Sequence, residues 1–216
     1  GGLEKLKPWL EQKSQIFADW PAARDFGVES PKGVMIVGMP GCGKSLTAKA
    51  TAKLFGLPLL KMDIGSLMGK YVGESEGNMR RAIAVAEAVS PCVLWVDEVE
   101  KAFAGIGSGA AGSEVATRLF GYFLTWMQEK TAQVFVVTTA NDISVLPPEL
   151  LRKGRFDEIF YVDFPNEAER KAIFRVHLDK RKKMNQQIDL HKLAKATDKY
   201  SGADIESIVK EGIERA

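Results

Sequence analysis

A chain of 216 residues with 30 basic and 28 acidic side chains has room for one sizeable α/β unit and a small appendage, and its net charge of +2 makes no electrostatic case for a nucleic-acid partner. No apolar stretch approaches the roughly 20 residues of a membrane span, and no signal peptide is visible. The two cysteines, Cys42 and Cys92, have no metal-ligand spacing and make no disulfide framework, which points to a reducing compartment.

Leu3, Leu6, Leu10 and Phe17, with Trp9 beside them, follow a helical stripe, and Pro8 suits a helix start. Short apolar runs then fall at 34–37, 58–62, 93–96, 134–138 and 159–162. Helical patterns lie between them at about 44–55, 75–89 and 113–129, with a shorter one near 147–152. This alternation predicts an α/β fold, a three-layer sandwich around a five-stranded parallel sheet. The stretch from Ala102 to Gly112 is glycine-rich and patternless, and reads as a mobile loop. From Asn166 onward the strand signal vanishes, and helical patterns run at about 167–181, 189–197 and 202–215. The expected division is therefore an α/β unit over 1–165, with an N-terminal helical segment over 1–30, and a small all-helical unit over 166–216. The last pattern is still running at Ala216, as in a truncated unit. The basic run Lys180-Arg181-Lys182-Lys183 reads as a solvated helix end.

The chemistry begins at Gly38-Met39-Pro40-Gly41-Cys42-Gly43-Lys44-Ser45, directly after the run Val34-Met35-Ile36-Val37. It fits G-x-x-x-x-G-K-[ST], a phosphate-binding loop between a buried strand and a helix. Glycines let backbone amides turn inward around an oxyanion, and the following helix brings its N-terminal dipole to the same place. Lys44 can reach the outer phosphates and the Ser45 hydroxyl can ligate magnesium. Leu46 completes the expected nucleotide-binding stretch. Cys42 reads as a small spacer, with a modifiable thiol as the alternative. About fifty residues on, a strand ends in Asp97-Glu98. Asp97 suits magnesium or its water, and Glu98 suits polarisation of an attacking water. A water-activating glutamate argues against a metabolite kinase.

Together these segments resemble the AAA branch of the AAA+ ATPases, over essentially the whole chain. At finer grain, the wording around Pro91–Glu98, Phe123–Lys130 and Leu146–Glu158 resembles the chloroplast-encoded and cyanobacterial AAA proteins. The resemblance implies a nucleotide-binding α/β subdomain followed by a helical lid. Asn141, in Thr138-Thr139-Ala140-Asn141, matches sensor 1, which positions the lytic water opposite Glu98. Arg152 and Arg155 match the second region of homology, whose arginines reach a neighbouring subunit's nucleotide. Ile173 and His177 match positions beside the adenine and ribose, and Gly202-Ala203-Asp204 matches sensor 2 with Ala203 where many relatives carry arginine. Tyr71-Val72-Gly73 resembles pore loop 1, and the glycine-rich loop after Phe103 would correspond to pore loop 2. Read without the resemblance, Gly73-Glu74-Ser75-Glu76 is a turn into a helix N-terminus.

The resemblance thus implies ATP hydrolysis with ATP and Mg2+, a homo-oligomeric ring of six, and a polypeptide substrate threaded or remodelled at the pore. The implied location is cytoplasmic, or the chloroplast stroma for a plastid-encoded chain. Catalytic roles fall to Lys44, Asp97, Glu98, Asn141, Arg152 and Arg155, and magnesium to Ser45 and Asp97. Two rivals stand beside this: a nucleic-acid-dependent AAA+ motor or loader, and a nucleotide-gated assembly switch that threads nothing. No HExxH zinc-protease segment is present.

Overall fold

In the computed structural model, residues 2–67, 73–104, 110–146, 148–152 and 154–215 are described. Strands β1 (Gly33–Gly38), β2 (Leu59–Met62), β3 (Cys92–Val96), β4 (Val134–Ala140) and β5 (Glu158–Val162) form one sheet in the order β2-β3-β4-β1-β5. Every observed pairing is parallel. β3 and β4 are buried at every residue, which is why their sequences are continuous apolar runs rather than alternating ones. The edge strands β2 and β5 are only partly covered.

Period-two alternation assigns each residue of the inner strands to a face. Val34, Ile36, Val93, Trp95, Phe135 and Val137 face α1 (Gly2–Ala18) and α3 (Lys44–Phe55), meeting Leu6, Leu10, Phe17, Ala48 and Ala52. Short α2 (Trp20–Asp25) follows α1. The opposite face, with Met35, Leu94 and Val136, packs on α4 (Ile64–Leu67), α5 (Glu74–Val89), α6 (Lys101–Ala104) and α7 (Ala110–Glu129). A 3-10 turn over Pro148–Leu151 follows β4.

Beyond β5 come α8 (Glu167–Lys180), α9 (Leu190–Ala196) and α10 (Gly202–Glu214), which gather around their own apolar cluster of Phe174, Leu178, Leu190, Ile205 and Val209. Capping boxes start α8 at Asn166 and α10 at Ser201. The buried Arg170 donates to the carbonyls of Pro165 (2.7 Å) and Ala194 (3.0 Å), tying α8 to α9 and to the incoming chain. The basic run sits at the end of α8, as expected.

Three expectations need correction, the first being the loop read over Ala102 to Gly112, whose two ends lie in α6 and α7. Pro8 lies inside α1 rather than at its start. It deletes a bond to the carbonyl of residue 4, and burial of Leu6, Leu10 and Phe17 against the sheet offsets that cost. The pattern near 147–152 is a 3-10 turn, and the short α2, α4 and α6 fell below what periodicity can register.

The ring of Phe135 is fully buried and contacts Phe55, Phe17 and Trp9 at centroid distances of 4.9, 5.8 and 6.3 Å. Phe135→Ala is expected to cost about 3–5 kcal/mol in urea unfolding, by cavity formation under α1. Lys130, just past α7, is half-buried, its ammonium has no hydrogen-bond or ion-pair partner among the described residues, and burial pushes it down to about 8. Its folded value lies below the unfolded 10.5. The cost of burying the charge is therefore full below about pH 8 and fades as pH rises towards 10.5. Lys130→Met should be more stable than the parent at pH 7 by on the order of 1–3 kcal/mol, with the difference closing in melts towards pH 10.

Candidate active site

Because the strands are parallel, their carboxyl ends open onto one edge of the sheet, where such folds place ligands. β1 ends there and releases the loop 38–45. Gly41 and Gly43 adopt φ of +78° and +86°, a left-handed backbone that glycine enters without strain, and α3 starts at Lys44. The Thr47 N–H and hydroxyl both donate to the Gly43 carbonyl, at 3.1 and 3.0 Å, closing the first turn. Lys44 Nζ donates to the carbonyls of Gly38 (2.6 Å) and Met39 (2.7 Å), and burial holds its ammonium below the usual lysine range. Met39, Pro40, Ser45 and Leu46 are exposed around the loop. Cys42 is buried and burial pushes its thiol up, so it is a packed neutral side chain rather than a thiolate.

The carboxylates follow from sheet register. Val96 of β3 pairs with Thr138 of β4, so the next residues, Asp97 and Thr139, emerge side by side. Thr139 Oγ1 donates to Asp97 Oδ1 at 2.5 Å and accepts the Glu98 N–H at 2.9 Å. The Thr139 carbonyl accepts the Val99 N–H at 3.0 Å. These bonds hold Glu98 at φ +48°, a left-handed conformation that costs a side-chain-bearing residue energy and is typical of functional positions. Asn141, just beyond β4, donates its Nδ2 to Glu98 Oε1 at 3.3 Å, and its backbone N–H to Glu100 Oε1 at 2.9 Å. Glu100 is buried, and its Oε2 has no hydrogen-bond partner among the described residues. Lys101 forms a close ion pair with Glu98 Oε2. That contact is the main cause holding the Glu98 carboxyl below the usual range, with burial opposing it. Lys61, opposite Trp95 in the β2–β3 register, lies 4.4 Å from the Trp95 ring centroid and 3.9 Å from Asp97 Oδ2.

The helical unit meets the loop directly. The Ala203 N–H, in the first turn of α10, donates to the Gly41 carbonyl at 3.3 Å. A Cβ placed on Gly202 would lie 3.4 Å from that same carbonyl and 3.8 Å from Ile173 Cδ1, so Ile173, Gly202, Ala203 and the loop are neighbours. His177, one turn beyond Ile173, sits 3.3 Å from Arg181 Nη1 and 3.9 Å from Glu206 Oε1, and burial lowers it from the ordinary imidazole value.

Arg152 and Arg155 are not brought to this cluster. Their segment is anchored by Asp157, whose Oδ2 accepts the N–H groups of Lys32 (2.7 Å) and Gly33 (2.8 Å) at the start of β1. The loop lies at the other end of that strand, about 17 Å away at 3.3 Å per residue. Among the described residues neither guanidinium has a hydrogen-bond or ion-pair partner, with Arg152 exposed and Arg155 half-buried. Tyr71 and Val72 lie outside the described residues, as do 105–109 of the glycine-rich stretch, Pro147 and Lys153. The turn at Gly73 does lead into α5 at Glu74.

The donor set suits magnesium. Ser45 and Asp97 supply hard oxygens, and Thr139 engages only one oxygen of Asp97. No cluster of three or more His, Cys, Asp or Glu able to cage a metal occurs among the described residues. No local sequence pattern marks Thr139, Glu100, Lys101 or Lys61. The β3–β4 and β2–β3 registers identify Thr139 and Lys61, and the one-turn spacing from Glu98 identifies Lys101.

A family profile described as "ATPase family associated with various cellular activities (AAA)" matches residues 34–164, and an AAA+ lid domain profile matches 187–216. The uncharacterized AAA domain-containing protein ycf46 of Pyropia yezoensis is 50% identical over 217 residues, covering 100% of this chain and 44% of the relative. Its counterpart in Guillardia theta is 48% identical, covering 99% of this chain and 42% of the relative. The human ATPase family gene 2 protein homolog A is 36% identical, covering 98% of this chain and 24% of the relative. The chain thus spans less than half the length of these curated relatives.

Gly41→Ala and Gly43→Ala separate backbone strain from lid contact. Both force alanine into a left-handed backbone, at about 1–2 kcal/mol. Only at position 41 would the new Cβ also press on the lid, 2.8 Å from Ser201 Oγ and 3.0 Å from Ala203 Cβ, whereas nothing lies within 4 Å at position 43. Urea melts should therefore show the larger loss for Gly41→Ala.

Proposed function

Because this chain belongs to the AAA ATPase family, we propose that it hydrolyses ATP in a ring of six subunits and uses the cycle to remodel or thread a polypeptide. The observation that carries this reading is the pairing of a Thr139-locked carboxylate cluster with two arginines that have no partner among the described residues.

Lys44 and the amides of residues 38–45 bind the phosphates, Lys44 exchanging the Gly38 and Met39 carbonyls for phosphate oxygens. Ser45 and Asp97 hold magnesium, which when bound neutralises phosphate charge. Glu98 accepts the proton of the attacking water, and Asn141 orients that water across from it. The water oxygen bonds to the γ-phosphorus as the bond to the bridging oxygen breaks, giving ADP and phosphate. Arg152 and Arg155 reach a neighbour's nucleotide and stabilise charge developing on its γ-phosphoryl group. Ile173, His177, Gly202 and Ala203 enclose the adenosine from the lid, and Leu46 flanks it from α3. Residues 1–165 act as the nucleotide-binding unit and 166–216 as the lid. Tyr71 and Val72 grip the polypeptide at the pore. Two buried free thiols suit a reducing compartment, the cytoplasm or the chloroplast stroma.

Glu98→Gln should keep ATP affinity while lowering phosphate release by about 10²–10⁴-fold. Subunits carrying it supply intact arginines, and subunits carrying Arg152→Ala with Arg155→Ala supply an intact base. Mixing the two inactive variants should restore turnover to part of the parent's level, and mixtures as inactive as their components would exclude a site shared between subunits.

A further inference from the structure

The closest charged contact in the site has no part in the scheme above. Lys101 opens α6 three residues after Glu98, and its Nζ is paired with Glu98 Oε2. Glu98 Oε1 accepts from Asn141. Both oxygens of the base are thus engaged within the chain. With Asn141 on one oxygen and Lys101 on the other, the carboxylate is held in one direction and turns towards a water by giving up a partner. No other cation shares this contact among the described residues. Lys44 is spent on the Gly38 and Met39 carbonyls, and Lys61 on the Trp95 ring and Asp97. The Glu98 backbone is fixed by Thr139, so its carboxylate changes partner by side-chain rotation.

We propose that Lys101 is a positioning residue that keeps Glu98 engaged and off the attacking water, so that each turnover begins with the opening of this ion pair. The inference rests on Glu98 being the base of the proposed hydrolysis. The lysine is largely exposed, and exposed ion pairs are weak restraints, so Lys101 slows the base rather than blocking it.

The test uses the full chain with Lys101→Met, Lys101→Arg, Glu98→Gln and the Lys101→Met, Glu98→Gln pair, reading steady-state ATP turnover and nucleotide affinity. Lys101→Met should raise kcat about two- to five-fold, the scale of a weak surface pair, with KM and ADP affinity unchanged. Lys101→Arg should keep the parent rate, and the paired variant should stay as inactive as Glu98→Gln. A kcat that falls or stays level in Lys101→Met, with Glu98→Gln still inactive, overturns the restraint and leaves the base in place. Parental turnover in Glu98→Gln removes the base itself, and the restraint with it.

Discussion

One strand register decides where the charges of this site stand. With Val96 opposite Thr138, Asp97 just beyond β3 comes out beside Thr139 near the end of β4, and that one threonine hydroxyl serves both carboxylate residues. Thr139 donates to Asp97 and accepts from the Glu98 amide, so it sets one carboxylate's orientation and the other's backbone together. A slip of one residue would turn every side chain of β3 to the other face and separate these groups. The buried, continuous apolar sequence of both strands makes such a slip costly. Packing and chemistry are therefore determined by the same contacts.

The second determinant is the approach of the lid. The first turn of α10 lies on the phosphate loop at Gly41, close enough that the absence of a side chain there is a packing requirement as well as a conformational one. The cap of that helix, Ser201 with Asp204, is consequently both a helix terminus and part of the wall facing the loop. Order in the lid and order in the loop are coupled through this contact, although the two belong to segments 160 residues apart in sequence.

Much of this is legible in the sequence. The five strands and the longer helices follow from apolar runs and periodicity, because central parallel strands are buried on both faces and advertise themselves. The phosphate loop and Asp97-Glu98 were legible because glycine spacing and strand-end acids are local signals. Thr139 was hidden because its importance comes from β4 lying beside β3, which no local pattern declares. Lys101 and Lys61 were hidden for a related reason: a surface lysine is ordinary until its partner is known. Pro8 stands inside α1 against a local rule about proline because burial along that helix outweighs it.

Asp157 joins two regions that the sequence keeps far apart. Its carboxylate holds the amides of Lys32 and Gly33, its own N–H donates to the Gly33 carbonyl, and Lys32 Nζ reaches back to the Gly154 carbonyl. The segment bearing Arg152 and Arg155 is thereby clamped to one end of β1, and the phosphate loop leaves from the other. A hydrogen-bonded central strand is stiff along its length, so β1 works as a strut of fixed span between them. Any displacement of one end must appear at the other, or else break the clamp at Asp157.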